Sequence, residues 1–161
     1  MISPEYAAGF FDGEGCVGIG VRGKNNQVFL RATIVNTDEN ILGAFQITFG
    51  GNLNKPQIYK EKPSWKPFRS LTMPGRTAID FFKIIYPYTK LKKSQIELAF
   101  EFWEFQQRPK IERCIVVRPL KDNPSYTTLA RSPETLAIEL EFKNRMHGLN
   151  AKGTLAMQRK G

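Results

Sequence analysis

Apolar positions change period several times along the chain, and those changes mark out its elements. Ser3-Pro4-Glu5 reads as a helix start, with a side-chain cap, a proline suited to the first turn and an acid facing the positive end of the dipole. The helix runs through Ala7, Ala8, Gly9, Phe10 and Phe11 and should fail near Gly13 and Gly15. From Cys16 the period drops to two: Val17, Ile19 and Val21 alternate with Gly18, Gly20 and Arg22. Residues 23–26 form a turn, after which Val28, Leu30, Ala32 and Ile34 alternate with Gln27, Phe29, Arg31 and Thr33. The two runs predict a hairpin with one apolar face and one mostly polar or basic face.

The pattern then repeats in kind, though not in sequence. Residues 36–39 (Asn-Thr-Asp-Glu) read as a cap, Ile41, Leu42, Phe45 and Phe49 share a helical face, and Gly50-Gly51 ends that helix. Residues 53–59 predict a third strand, edged or interrupted by Pro56, and residues 65–73 a fourth, joined by a turn at 60–63. Pro74-Gly75 leads into a helix built on Ala78, Ile79, Phe82 and Ile85. A longer helix, capped by Thr89 or Ser94, buries Ile96, Ala99, Phe100 and Trp103. Residues 109–133 hold four prolines and no clear period, which predicts a loop-rich excursion with a short strand at 114–117. A last amphipathic helix spans 135–146. The expected organisation is α+β, one domain over residues 1–147 and a basic, flexible tail over 148–161 carrying Lys152, Arg159 and Lys160.

The first helix carries features that an ordinary core helix does not need. Gly9 and Gly13 lie four apart on one face, at a cost of roughly 1 kcal/mol each relative to Ala, which makes sense where another backbone approaches closely. Asp12 and Glu14 stand at the negative end of the dipole, with no Lys or Arg before Arg22 to offset them; a bound cation would. A glycine-rich turn with solvated acids would leave the same pattern.

Charge sharpens this picture. The net charge of +9 is unevenly spread: residues 1–21 carry three acids and no base, residues 22–93 carry 13 bases against 4 acids, and residues 94–161 carry 11 against 8. An acidic spot followed by a basic middle suits a polyanion-binding surface around a metal site. The two cysteines, Cys16 and Cys114, are too few for a disulfide framework or a zinc site, and fit a reduced, intracellular setting. Organelle (chloroplast or mitochondrion) and bacterial or phage cytoplasm are both compatible. No apolar run is long enough to span a membrane, so no membrane partner is expected.

Ala7-Ala8-Gly9-Phe10-Phe11-Asp12-Gly13-Glu14-Gly15 resembles the signature of the LAGLIDADG homing endonucleases position by position, with Ala for the first Leu and Glu for the second acid. Residues 87–95 resemble that family's P-[YF]-L-x-[LI]-K-x-x-Q motif, Lys92 filling the Lys and Gln95 the Gln. The resemblance covers roughly residues 4–106. It implies the αββαββα fold of the family, an antiparallel saddle-shaped sheet with helices on one face. A single signature implies a homodimer joined through Ala8, Gly9, Asp12 and Gly13, with two copies of Glu14 side by side. It further implies double-strand cleavage of a long, nearly palindromic DNA target by metal-dependent hydrolysis, encoded within an intron or intein. Glu14 and Gly13 would hold Mg2+ or another divalent metal, and Lys92 would serve as the electrostatic partner. Asn36, with Thr37 as the alternative, would complete the site. Asp12 is expected to make structural hydrogen bonds rather than bind metal. The sheet would lie in the major groove, with Arg22, Lys24, Gln27, Arg31 and Thr33 from the first hairpin and Asn54, Lys55, Gln57, Lys66, Ser70 and Thr72 from the second.

The same scaffold would also suit a maturase that binds intron RNA to assist splicing, or a DNA-binding regulator without catalysis. Intact Glu14 and Lys92 favour the nuclease, since a pure binder has no need of paired carboxylates. His147 is the only histidine, which excludes a His-rich metal site.

Overall fold

Ser3 accepts a hydrogen bond from the Tyr6 amide at 3.3 Å and opens helix α1 (Pro4–Glu14), as the Ser-Pro-Glu start requires. The computed structural model describes the chain apart from residues 24, 25, 59–63, 65, 109–112, 121, 122 and 159–161, with the backbone alone at 113–120, 123–130 and 152–158. Strand β1 (Gly15–Arg22) follows α1 without an intervening residue and pairs antiparallel with β2 (Gln27–Asn36), Gly15 opposite Ile34 and Arg22 opposite Gln27. Helix α2 (Glu39–Phe49) is capped by Asp38, which accepts from the amides of Asn40 and Ile41 at 2.8 and 3.3 Å. It ends at Gly50 and Gly51, both with positive φ; a Cβ on Gly51 would lie 2.9 Å from the Thr72 carbonyl oxygen, so the turn admits glycine alone. Strands β3 (Asn52–Leu53) and β4 (Arg69–Pro74) complete a sheet of order β1-β2-β4-β3 with every pair antiparallel. Helices α3 (Gly75–Ile85) and α4 (Lys93–Gln107), a hairpin of β5 (Arg113–Leu120) and β6 (Asn123–Arg131), and α5 (Pro133–Gln158) follow.

Alternation in the strands sorts the sheet into two faces. Val17, Ile19, Val28, Leu30, Ala32, Ile34, Leu71 and Met73 are buried beneath the helices. Ala7, Ala8 and Phe11 of α1 enter the same core, where the Phe11 ring meets Phe81 edge-on at 5.2 Å and Phe82 at 5.8 Å. The helices therefore cover one face of the sheet and leave the other open, the α+β arrangement expected from sequence.

Several expectations need correction. The third strand does not extend over 53–59. Its ladder stops at Leu53, an Asn54–Ser70 bond of 2.9 Å follows, and pairing resumes only as a bridge between Gln57 and Phe68. Pro56, which has no amide to donate, sits in the gap. The described residues within 109–133 are not loop-rich: they hold the β5–β6 hairpin, paired from Arg113–Arg131 to Leu120–Asn123. Pro119 lies where the register slips between Arg118 and Leu120, and Pro124 lies next to the terminal Asn123, so neither proline interrupts a regular ladder. The last helix runs past Met146 to Gln158 and takes in most of the segment expected as a tail; Asn150 donates to the Val17 carbonyl at 3.0 Å. Among the described residues no helix is long and apolar enough to cross a membrane.

Candidate active site and nucleic-acid interface

The direct passage from α1 into β1 fixes where the acids stand. Gly15 pairs with Ile34, so Glu14 lies at the end of the sheet where β2 finishes at Asn36. Glu14 and Gly13 are exposed, and no hydrogen bond or ion pair engages the Glu14 carboxylate among the described residues. Asp12 is fully committed instead. Its carboxylate accepts from three successive amides ahead of α4: Lys90 at 2.7 Å, Leu91 at 3.1 Å and Lys92 at 3.1 Å. The Lys92 ammonium donates in turn to the Asp12 carbonyl oxygen. Asp12 thus plays the structural part expected of it. It clamps residues 90–92 to the end of α1 and brings the Lys92 charge to the carbonyl end of the helix that presents Glu14.

This clamp also explains why neither Thr89 nor Ser94 caps α4. The N-cap position is Lys92 with no side-chain cap, the turn before it is held by Asp12, and the Thr89 hydroxyl donates to the Ile85 carbonyl at 3.0 Å. Replacing Asp12 by Ala is expected to destabilise the fold by about 1.5–3 kcal/mol, the range for hydrogen bonds to a charged group. A lower urea midpoint at unchanged slope would show it. An unaltered midpoint would mean that the clamp contributes nothing to folding.

Asn36 is placed at the same end of the sheet, half-buried, and its side-chain oxygen accepts from the Asp38 amide at 2.9 Å. Its Nδ2 donors have no partner among the described residues. Among the described residues no cluster of three or more His, Cys, Asp and Glu could hold a metal. The donors that the expected Glu14 and Gly13 would offer from one protomer are one carboxylate and one carbonyl, hard oxygens of the kind Mg2+ takes together with water and phosphate, and unsuited to zinc. The residues fit such an ion once a substrate phosphate and a second carboxylate are supplied.

The open face of the sheet gathers most of the expected nucleic-acid contacts. Register sets Arg22 opposite Gln27, Gly18 opposite Arg31, Cys16 opposite Thr33, and Thr33 opposite Thr72. Asn54 joins this face by donating to Ser70 at 2.8 Å and Thr72 at 3.3 Å. The Thr33 hydroxyl is shut off from solvent without a partner, so it is badly placed to read a base. Lys55, Gln57 and Lys66 are exposed near the Gln57–Phe68 bridge, and Lys24 lies outside the described residues. The small residues of α1 divide between two faces. Gly9 and Gly13 are exposed, whereas Ala8, expected beside them at a dimer seam, is fully buried in its own protomer's core. Phe29, whose alternation with the apolar set put it on the polar face, was not among the expected contacts; it stands there between Gln27 and Arg31.

Element order, sheet topology and the signature helix running into β1 together define the fold of the LAGLIDADG homing endonucleases. No protein-family model matches the chain, and no curated protein does. Among solved structures, the chain is similar to the homing endonuclease I-CvuI in complex with its target, at TM-score 0.66 and 17% identity over 91% of this chain and 80% of that one. It is similar to the I-LtrWI LAGLIDADG homing endonuclease bound to target DNA, at TM-score 0.59 and 17% identity, covering 89% of this chain and 44% of that one. The archaeal intron-encoded homing endonuclease I-Vdi141I, complexed with DNA, aligns at TM-score 0.51 and 15% identity over 64% and 67%.

Proposed function

We propose that the protein is a site-specific endonuclease that cuts both strands of a long, nearly palindromic DNA duplex as a homodimer, and that it belongs to an intron or intein. The observation that carries this reading is the Asp12 clamp, which brings Lys92 to the helix end presenting an unpartnered Glu14 on a fold shared with DNA-bound homing endonucleases. Glu14 and the Gly13 carbonyl of each copy would hold a divalent metal such as Mg2+. When bound, that ion supplies an activated water and a counter-charge for the leaving oxygen. The chain's own residues do the rest. The open sheet face binds the groove, Lys92 offsets charge on the scissile phosphate, and Asn36 Nδ2 orients water by donating to it.

Two-fold assembly supplies the second carboxylate. A Cβ on Gly9 or Gly13 would meet nothing within 4 Å in the protomer, so this exposed stripe is open to a second helix. Gly9→Leu is therefore expected to fold normally and to separate the dimer, read by sedimentation at micromolar concentration. A native protein that sediments as a monomer there, or a variant that stays dimeric, would contradict the assignment.

The function itself is tested by incubating the protein with its gene's flanking DNA, joined without the insert, in magnesium. Cutting both strands at the junction supports the reading. An intact duplex, with binding to intron RNA instead, would move the protein to the maturase class.

A further inference from the structure

Phe29 stands half-buried on the open, polar face of β2, directly across from Gly20. A Cβ on Gly20 would lie 2.8 Å from the ring Cζ, so the ring occupies the space that a side chain there would fill. Guanidinium groups flank it: the Arg22 Cζ is 5.4 Å and the Arg31 Cζ 5.7 Å from the ring centroid. Arg22 is further held by a 3.2 Å bond from its Nε to Gln27 Oε1. Arg31 lies against Gly18, where a Cβ would sit 3.6 Å from its Nε. The two glycines of β1 thus let the ring and the Arg31 stem lie down along the sheet.

We propose that Phe29 is a positioning residue for base recognition, its ring holding Arg22 and Arg31 ready to read two guanines in one half-site. This inference rests on the duplex-DNA reading above. Arginine reads guanine through two parallel hydrogen bonds to O6 and N7, and a side chain already fixed in direction loses less freedom on binding. The face of an aromatic ring attracts a guanidinium and fixes it without consuming its hydrogen-bond donors. Duplex DNA fits this surface better than duplex RNA, because the deep, narrow major groove of A-form helices does not admit side chains to the base edges. Since both guanidinium carbons lie within 6 Å of one ring centroid, they are no more than about 11 Å apart, or about three base steps of ~3.4 Å.

The experiment selects bound duplexes from a randomised pool in calcium, using the native protein, Phe29→Leu, Phe29→Tyr, Arg22→Ala and Arg31→Ala, with melting curves to confirm folding. The native protein should enrich two guanines within three base steps in each half-site, and each arginine variant should lose one of them. Phe29→Leu, which keeps apolar bulk but has no ring, should lower the preference at both guanines together, by about 2- to 5-fold each, and leave other positions unchanged. Phe29→Tyr should keep the native preference. If Phe29→Leu changes one position or none, or weakens every sequence equally, this inference is overturned while the DNA reading stands. A native protein that enriches no sequence overturns both.

Discussion

Glu14→Gln is expected to abolish cleavage, lowering the single-turnover rate by about 10³-fold or more, while the dissociation constant for the same duplex stays nearly unchanged. Glutamine keeps the shape but offers a hard cation only a neutral amide oxygen, and the loss of a metal's charge stabilisation amounts to several kcal/mol at about 1.4 kcal/mol per decade. The substitution should not disturb the fold, because the Glu14 carboxylate has no partner among the described residues and stands at the unfavourable end of the α1 dipole. On the proposed reading, losing one acid beside the phosphates favours the polyanion while losing the cation it holds opposes it, so the two changes in charge offset each other in binding. Full cutting by Glu14→Gln in magnesium would remove Glu14 from the metal site.

Lys92→Ala should slow cleavage far more than it weakens binding. At saturating protein the rate should fall by about 10²-fold or more, the scale for one lost electrostatic stabiliser. Were Lys92 an ordinary phosphate anchor, binding would weaken and the salt slope would drop by about one unit. Were it part of a solvated run, neither quantity would move, since Lys90 and Lys93 remain. The bond from its ammonium to the Asp12 carbonyl is lost in Lys92→Ala and Lys92→Met alike, so both are measured, Lys92→Met keeping the apolar stem, with melting curves to show whether the helix end is disturbed. Single-turnover rates in magnesium and equilibrium binding in calcium separate the outcomes. A normal rate in both variants would take Lys92 out of the site.

Much of this arrangement was legible in the sequence because it is local. The Ser3 cap, the helix break at Gly15, the Asp38 cap and the two-residue period of β1 and β2 depend on neighbours within a few positions, and the period alone sorted Gln27, Arg31 and Val28, Leu30 onto opposite faces. The Asp12 clamp spans some 80 positions, and no local pattern could supply the partners. Thr89 and Ser94 looked like the caps of α4 for the same reason: the carboxylate that orders that turn comes from α1. Ala8 was misplaced because a run of small residues does not say which of them meets its own core and which a partner. The β5–β6 hairpin was hidden by its prolines, which look like loop markers until the register shows them at its irregular end.

No residue separates α1 from β1: Gly15 is both the C-cap of the helix and the first residue of the strand. The eight residues of β1 extend about 26 Å at ~3.3 Å each, from the helix end to Arg22 at the far tip. A tilt of only about 5° in α1, carried rigidly along that arm, would displace the tip by about 2 Å, more than half a base step. The angle at which two copies of α1 cross would therefore set the calibration of the reading face. Changes at Gly9 or Gly13 too mild to part the dimer should shift which base pairs fall under Arg22 without altering any residue that touches DNA.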